Sequence, residues 1–580
     1  MQQKKDSLII VNGKDKTDSI VSINYHGGKC DIVYNNSPRT YSYNSANVRI
    51  LKLIHQIDPK SVIFKAKGRT ITGIDQILYF GEYYRIIRAN RKDFSYHKDD
   101  VEILKNCLYE AKSRELFTYF KETARAISLK TDNDINILDL QYNKISAVEE
   151  TTVLAKYLDT GNPVETRNEN HDLIYPFGLN QSQKKAVENA FSSQISIIQG
   201  PPGTGKTQTI LNIIANAVRK GKTVAVVSNN NSATQNVAEK LEKEGLEFIT
   251  AFLGSLHNKE QFLLSQTGTY PSTGNWILKR SIHDRLNAEI QQLSEELTNM
   301  LNFKNRIAQI DQELLALKPE QFYFEEYYKS KGKVLVDPAQ LSKLSSKKLL
   351  SLWLEYEHNS HRELRFWKRL LIAFRFSRAS LAVFKYIPEE AIPFLQNLFY
   401  KTKFQELLDE KKALEENLRN YHFDAKMEEL RSKSMKLFKS ELAQRYAKSL
   451  QRPIFEKKDF RGSSESFTTE YPVILSTTYS IKGTLSTDFV YDYLIVDEAS
   501  QVDLATGVLA YSCAQNIVIV GDQKQLPNVL TSDDIKTADA IWNKHHFDER
   551  YHFATHSMLA SASEIWQNVP SVLLREHYRC

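Results

Sequence analysis

The chain of 580 residues carries a formal net charge of +7 and is too long for one hydrophobic core, so we expect three or four domains. A quarter of the residues are charged and no apolar run is long enough to span a bilayer, so we expect no membrane partner, while the mild positive charge permits a polyanionic one. Four scattered cysteines without C-x-x-C spacing indicate neither a zinc site nor a disulfide framework, and they fit a reducing, cytoplasmic location.

Residues 1–99 are predicted to form a small β-rich domain. Two alternating stretches, Val21–Tyr25 and Lys29–Tyr34, flank a Gly-Gly turn, which is typical of a β-hairpin. A second β-like stretch over about 61–89 contains four closely spaced aromatic residues, Tyr79, Phe80, Tyr83 and Tyr84. Such rings either stack on nucleic-acid bases or fill the core of the domain, and a domain of this size favours the core.

Residues 100–175 are predicted to form a connector that is helical over 100–128 and polar and irregular over 129–175. From 176 to 257, strand, loop and helix patterns alternate as a parallel α/β sheet requires. A short apolar strand over Ile195–Gln199 precedes a glycine-rich loop, and a helix over Gln208–Val218 follows it. The loop reads Gly200-Pro201-Pro202-Gly203-Thr204-Gly205-Lys206-Thr207 and fits the phosphate-binding pattern G-x-x-x-x-G-K-[ST].

Each part of this loop has a mechanical role. The glycines allow the backbone to turn tightly, so that its N–H groups point at a phosphate, and the following helix adds the positive end of its dipole. Lys206 is placed to reach the β- and γ-phosphates, and the Thr207 hydroxyl is placed to hold Mg²⁺. The chain is therefore predicted to bind a nucleoside triphosphate with Mg²⁺, through the loop and the adjoining Gln208.

Residues 258–467 are predicted to be a helical insertion that splits the α/β domain. Apolar residues recur with a period near 3.5, with one slip, at Leu286, Ile290, Leu293, Leu297, Met300, Phe303, Ile307, Ile310, Leu314 and Leu317. A second run lies at Phe404, Leu407, Leu414, Leu418 and Tyr421. Two such helices with a returning connection indicate an antiparallel coiled-coil arm, through which a protein partner is possible.

A basic stretch with interleaved aromatic residues lies inside this insertion, over His361–Phe376. It is a candidate for contact with nucleic acid, an acidic partner or a membrane surface. The alternative, which the pattern favours, is a helix that packs its Trp and Phe face on the arm while its arginines remain in water.

The α/β pattern resumes over 468–580. Three strands are predicted, at Pro472–Thr478, Tyr493–Val496 and Asn516–Val520. The second of them leads directly into Asp497 and Glu498. In a phosphoryl-transfer site, the first carboxylate would hold Mg²⁺ through water, and the second would orient and deprotonate the attacking water.

Several motifs occur in a fixed order along the chain. They are N-x-x-Q at 180–183, the phosphate loop, D-E-A-S-Q at 497–501, G-D-x-x-Q-L-P at 521–527 and L-R-E-H-Y-R at 574–579. This order resembles superfamily 1 helicases, in particular the group of the nonsense-mediated-decay helicase and its bacterial relatives. The resemblance covers about 179–255 and 470–580 and implies a first RecA-like domain that binds ATP and Mg²⁺.

The resemblance also implies roles for individual residues. Gln183 would read the adenine edge, Gln525 would sense the γ-phosphate as part of the catalytic set with Lys206, Asp497 and Glu498, and Arg579 would contact nucleotide phosphates. Polar contacts to the backbone of a nucleic-acid strand would come from Asn230, Asn231, Ser232 and Thr477. The implied activity is ATP-dependent translocation along single-stranded DNA or RNA, with 5′ to 3′ polarity.

The sequence departs from this group in two places. A β-barrel within the insertion is not recognisable, because residues 320–400 have a largely helical pattern. The motifs of the second RecA-like domain, including its arginine finger, do not follow Arg579, so we expect a fragment of a longer helicase that is weakly active or inactive alone. The alternative function is an ATP-gated regulatory or scaffold component, for example of a bacterial defence system, whose arm recruits an effector.

Overall fold

The computed structural model describes residues 6–88, 93–127, 136–167, 172–330, 341, 343–359, 366–447, 451–526 and 528–575. The chain divides into two compact units. The first comprises Met1–Phe177, Ser182–Ile277 and Phe438–Cys580, and the second comprises Gly178–Gln181 and Leu278–Leu437.

The centre of the first unit is a seven-stranded parallel sheet. Its strands lie in the order Thr250–Phe252, Val473–Thr477, Val224–Ser228, Tyr491–Val496, Ala514–Gly521, Ile195–Gln199 and Ser571–Leu573. The inner strands are almost wholly buried, which explains why they read as continuous apolar runs. This sheet and its helices confirm the predicted α/β class and fit a RecA-like domain.

Helices flank the strands of this sheet along the chain. They are Gln181–Ser192, Lys206–Arg219, Asn231–Lys243, Leu256–Ser265, Asp459–Gly462, Ser464–Glu470, Leu504–Tyr511, Ser532–Trp542 and Met558–Ile565. The strands and helices of the phosphate-loop region therefore lie within two residues of their predicted bounds. The carboxyl ends of the parallel strands all meet at one edge of the sheet, which is where such folds bind ligands.

Residues 7–105 form four small antiparallel sheets. Their strands are Ser7–Val11, Lys14–Asp15, Ile20–His26, Lys29–Tyr34, Thr40–Asn44, Val48–Lys52, His55–Ile57, Val62–Ala66, Arg69–Thr70, Gln76–Tyr79, Tyr83–Ile87, Phe94–His97 and Val101–Lys105. Of the four clustered aromatic residues, Phe80 and Tyr83 are buried in a small core with Leu8, Ile10 and Leu78. The core interpretation therefore holds for these two rings, while the boundary of a β-rich domain at residue 99 stays a prediction.

The predicted helix over 100–128 is wrong at its start. Val101–Lys105 is a strand that pairs antiparallel with Val62–Ala66, and the helix occupies only Ala111–Ile127. Apolar residues at 101 and 103 alternate with a charged residue at 102, and this period of two suits a strand.

The segment after this helix is also more ordered than an irregular connector. It contains helices Ile137–Tyr142 and Val153–Leu158, and all six residues of the second helix are buried. The Tyr157 hydroxyl lies 2.7 Å from the Ser561 hydroxyl. The connector thus contributes to the core around the parallel sheet.

The second unit is helical. Its helices are Arg280–Ser330, Ser346–Asn359, Phe366–Arg375 and Pro388–Asn420, together with the first part of Phe423–Tyr446. The two longest run antiparallel, because Glu325 pairs with Lys401 at 3.1 Å while Arg306, nearer the start of its helix, pairs with Glu410 at 2.6 Å. Supercoiling of these helices stays a prediction. Among the described residues, no helix is both long enough and apolar enough to cross a membrane.

The helix Phe366–Arg375 is not packed as its sequence pattern suggested. Trp367 is 75% exposed and Phe374 is 94% exposed, whereas Ile372 and Phe376 are buried in the small core of this unit. The expectation that the Trp and Phe face packs on the arm is therefore wrong for Trp367 and Phe374. Residues 361–365 lie outside the described part of the chain.

Candidate nucleotide site and strand interface

The phosphate loop joins strand Ile195–Gln199 to helix Lys206–Arg219. Gly205 has φ +84°, and a Cβ atom added there would lie 2.0 Å from Nε2 of Gln183. A Cβ atom on Gly200 would lie 2.6 Å from the Thr204 hydroxyl oxygen. The loop thus has the close approaches that only glycine permits, and its concave backbone fits a phosphate group.

Two carboxylates follow strand Tyr491–Val496 at the same edge of the sheet. Glu498 has φ +53°, and its Oε1 accepts a hydrogen bond from Nζ of Lys206 at 3.0 Å. Its other oxygen, Oε2, is buried and has no hydrogen-bond partner in the described structure. A buried carboxylate oxygen without a partner is costly unless a ligand or water satisfies it, so this oxygen fits the position of a water-orienting base.

Asp497 is buried beside Glu498. The pKa of Asp497 is raised to about 6, chiefly by burial and then by the Glu498 carboxylate, while the Lys206 ammonium acts in the opposite direction. The backbone N–H of Glu498 donates to Oδ1 of Asp497 at 2.9 Å. Because the buried Asp497 carboxylate is poorly solvated, a bound cation would stabilise its negative charge.

The oxygen donors present fit Mg²⁺ held largely by phosphates. The Thr207 hydroxyl and the Asp497 carboxylate line one cavity of about 780 Å³. Among the described residues there is no cluster of three or more His, Cys, Asp or Glu side chains that would hold a metal alone. Mg²⁺ in nucleotide sites typically takes only one or two protein ligands, and the rest of its shell comes from phosphates and water.

Gln183 is fully buried behind the phosphate loop. Its Nε2 donates to the carbonyl oxygen of Gly205 at 3.2 Å and to Oε1 of Gln208 at 3.0 Å. Gln208 in turn donates to the carbonyl oxygen of Phe177, and Gln208 and Phe177 both line the cavity. Gln183 therefore supports the loop from behind, and its reading of adenine stays a prediction.

Gln525 is a further predicted residue that lines the cavity. Its Nε2 lies 3.4 Å from Oδ2 of Asp522, which is itself buried. Sensing of the γ-phosphate by Gln525 stays a prediction. Arg579 lies outside the described residues.

The predicted strand-binding residues lie at the same edge of the sheet. Asn230 caps helix Asn231–Lys243 by accepting a hydrogen bond from the Ser232 N–H at 3.0 Å, and both residues line the nucleotide cavity. Thr477 ends a neighbouring strand, in register with Ser228. Their contact with nucleic acid stays a prediction.

The sequence did not indicate two groups of residues that belong to this region. Asn236, Lys240 and Lys243 line the nucleotide cavity from one face of their helix, and Nδ2 of Asn236 lies 3.4 Å from the Thr207 hydroxyl. Their spacing of four and three residues was the available signal. Asn229 donates from Nδ2 to the carbonyl oxygen of Gln501 at 2.9 Å, a contact that local sequence does not indicate.

The chain matches a known family over the region that contains this site. The family described as AAA domain matches residues 178–533. The chain is similar to the DNA polymerase alpha-associated DNA helicase A of Schizosaccharomyces pombe, with 36% identity over 96 residues, 16% of this chain and 14% of that protein. It is similar to regulator of nonsense transcripts 1 of Caenorhabditis elegans, with 40% identity over 83 residues, 14% of this chain and 8% of that protein.

A third relative is the DNA-binding protein SMUBP-2 of Mesocricetus auratus, with 42% identity over 69 residues, 12% of this chain and 7% of that protein. The aligned segments thus span 14% or less of each of these three relatives. The matches confirm the resemblance to superfamily 1 helicases of the nonsense-mediated-decay group.

Proposed function

The chain belongs to the AAA domain family, and on this premise we propose that it is the ATP-hydrolysing motor part of a translocase on single-stranded nucleic acid. The observation that carries the proposal is the ion pair at 3.0 Å between Lys206 in the phosphate loop and Glu498, which follows strand Tyr491–Val496, two strands away in the sheet. A lysine that binds phosphates and a carboxylate that orients water are the two groups that hydrolysis of ATP requires from this side of the site.

The geometry of the site indicates how these residues would work. In the proposed cycle, the phosphates of ATP replace Glu498 as the partner of Lys206, and the released carboxylate accepts a proton from the attacking water. Thr207 and Asp497 would hold Mg²⁺, which when bound neutralises charge on the phosphates. The buried surroundings strengthen these charge interactions, since water does not screen them.

The nucleic-acid part of the proposal rests on the sheet edge and on the family. Thr477, Asn230, Asn231 and Ser232 would grip the backbone of one strand without reading its sequence, as a translocating protein requires. The names of the similar proteins refer both to DNA and to nonsense transcripts, so the proposal covers either polymer. We propose 5′ to 3′ polarity by resemblance alone.

The experiment measures nucleotide binding and ATP hydrolysis by the full chain, with and without single-stranded DNA and, separately, single-stranded RNA. Lys206→Ala is the blank for both readouts. We expect nucleotide binding that Lys206→Ala removes, and a change in nucleotide affinity or turnover with one of the two polymers. A chain that binds nucleotide but neither polymer would refute the translocase proposal and leave the nucleotide site intact.

A second candidate function is an ATP-gated scaffold whose helical unit recruits a protein partner. It is favoured by the apolar side chains that helix Phe366–Arg375 exposes, since Trp367, Leu371 and Phe374 are all more than 60% exposed. Capture of one defined protein that requires both nucleotide and these side chains would support it. We place either function in a reducing cytoplasm, where the buried thiols of Cys30, Cys107 and Cys513 would remain free.

A further inference from the structure

Four basic side chains from three separate segments converge beside the loop that follows Thr477. They are Lys144, Lys259, Lys457 and Arg461, and we call them the basic cluster. Nζ of Lys259 donates to the carbonyl oxygen of Gly483 at 3.3 Å. The other two segments adjoin the same loop, because a Cβ atom on Gly483 would lie 2.8 Å from Nε2 of Gln141, and the Ser486 N–H donates to the Ser464 hydroxyl oxygen at 3.0 Å. Burial is the main cause that lowers the pKa of Lys259, and the charges of Arg461, Lys457 and Lys144 lower it as well.

The loop that Lys259 contacts follows directly after Thr477, the predicted strand-binding residue. The Ser480 N–H donates to the carbonyl oxygen of Thr477 at 3.1 Å, and the Gly483 N–H donates to that of Ser480 at 2.9 Å. Gly254, just before the helix that carries Lys259, packs so closely that a Cβ atom there would lie 3.1 Å from the Thr477 nitrogen. Two chain segments therefore connect the cluster to Thr477 within a few residues.

Among the described residues, no carboxylate lies within ion-pair distance of the basic cluster, and the neighbouring Glu456 pairs with Lys458 at 2.8 Å instead. Lys144, Lys457 and Arg461 are exposed, Lys259 is half-buried, and none of the four forms an ion pair with another described residue. Every charged group that perturbs the pKa of Lys259 is a cation. Cations held together without an anion repel one another, so an external polyanion would relieve the repulsion and gain their combined attraction.

We propose that the basic cluster binds the phosphate backbone of single-stranded nucleic acid that passes Thr477. The inference rests on the proposed function, because it assigns the continuation of the same strand path. Phosphate contacts from Lys and Arg are insensitive to sequence, and they supply most of the affinity of such proteins for a strand. The cluster would therefore determine how tightly the strand is held, and hydrolysis itself would remain with Lys206 and Glu498.

The test compares strand binding by the full chain and by a triple variant, Lys144→Ser with Lys457→Ser and Arg461→Ser. Lys259 is kept, because its bond to Gly483 is part of the loop. Fluorescence anisotropy with labelled oligo(dT) and oligo(U) is recorded over a range of salt concentrations. Each lost phosphate contact lowers the slope of log K against log salt by about 0.7, so the triple variant is expected to lose about 2 units of slope and ~100-fold in affinity at 0.1 M salt.

A charge-matched control removes three exposed lysines elsewhere, with Lys14→Ser, Lys29→Ser and Lys52→Ser. It should keep the parent's slope to within about 0.7. An equal loss in both triple variants would overturn the proposal, since the effect would then come from net charge. An unchanged slope in the cluster variant would overturn it as well. If the parent chain binds neither oligonucleotide, the proposed function fails first, which separates the two failures.

Folding of the cluster variant is checked by its affinity for a fluorescent ATP analogue, which should match that of the parent because the nucleotide site contains none of the three residues. If the triple variant does not fold, Lys144→Ser and Lys457→Ser are measured singly, with an expected slope loss of about 0.7 each. No slope loss in either single variant would overturn the proposal.

Discussion

Neutralising Glu498, the proposed water-orienting base, is expected to tighten nucleotide binding while it abolishes hydrolysis. In the structure, Glu498 holds the ammonium group of Lys206 at 3.0 Å, so this ion pair must break before Lys206 can reach the phosphates. In Glu498→Gln the remaining interaction is that of an amide with an ammonium group, which is weaker than the ion pair. The variant therefore loses less interaction free energy when Lys206 leaves residue 498 to bind the phosphates.

The burial of the pair sets the size of the effect. The Lys206 side chain is 9% exposed and the Glu498 side chain is 24% exposed, so the pair is neither a surface pair nor a fully buried one. Surface pairs contribute about 0.2–1 kcal/mol, and partial burial places this pair at the upper end of that range or slightly above it, at about 1–1.4 kcal/mol. Recovery of this free energy corresponds to a roughly 5- to 10-fold lower Kd.

The assay is titration of the parent, Glu498→Gln and Lys206→Ala with a fluorescent, non-hydrolysable ATP analogue. Glu244→Gln is the matched control, because Glu244 lines the same cavity but pairs with Lys439 at 3.7 Å. If Glu244→Gln tightens binding as much as Glu498→Gln does, the cause is the general field in the cavity and the reasoning from the ion pair is refuted. Unchanged or weaker binding by Glu498→Gln would refute it too, and retained hydrolysis would show that Glu498 is not the base.

Three further outcomes are expected. Gly205→Ala should weaken nucleotide binding at least 10-fold, because the added Cβ atom would displace Gln183. The control is Gly245→Ala, which should leave nucleotide binding unchanged, because Gly245 has a similar φ of +70° but open space around it. Gln183→Ala should bring the ratio of GTP to ATP Kd values close to one, a change in ratio that mere weakening of the loop would not produce. Arg306→Ala should change the free energy of unfolding in urea by less than about 1 kcal/mol, because its ion pair with Glu410 is exposed to water.

The nucleotide site could be predicted from sequence to the extent that its chemistry is local. The turn of the phosphate loop needs glycine at fixed positions, and strand Ile195–Gln199 was recognisable because three of its five residues are isoleucine. The ion pair between Lys206 and Glu498 was not predictable, since the two residues are 292 positions apart and only the parallel order of the sheet brings them together. The same holds for Asn229 and Gln501.

Outside this site, periodicity showed which residues share a face but not what covers that face. Trp367 and Phe374 share a helix face with an apolar pattern, yet the structure buries Ile372 and Phe376 instead. Helix Val153–Leu158 is the converse case, because it lies in a segment that was predicted to be a polar, irregular connector, although all its residues are buried. In each case the decisive partner is distant in sequence, and local pattern carries no information about it.

The carboxyl edge of the sheet explains how strand binding and nucleotide chemistry are linked in the proposed motor. Strands Val224–Ser228 and Tyr491–Val496 are neighbours, so the loop that begins at Asn229 lies beside the turn that carries Glu498. The bond from Asn229 to the carbonyl oxygen of Gln501 joins the loop to this turn at 2.9 Å. A strand that shifts the loop would therefore move the turn that holds Glu498, and nucleotide would in return bias the loop with the same coupling free energy.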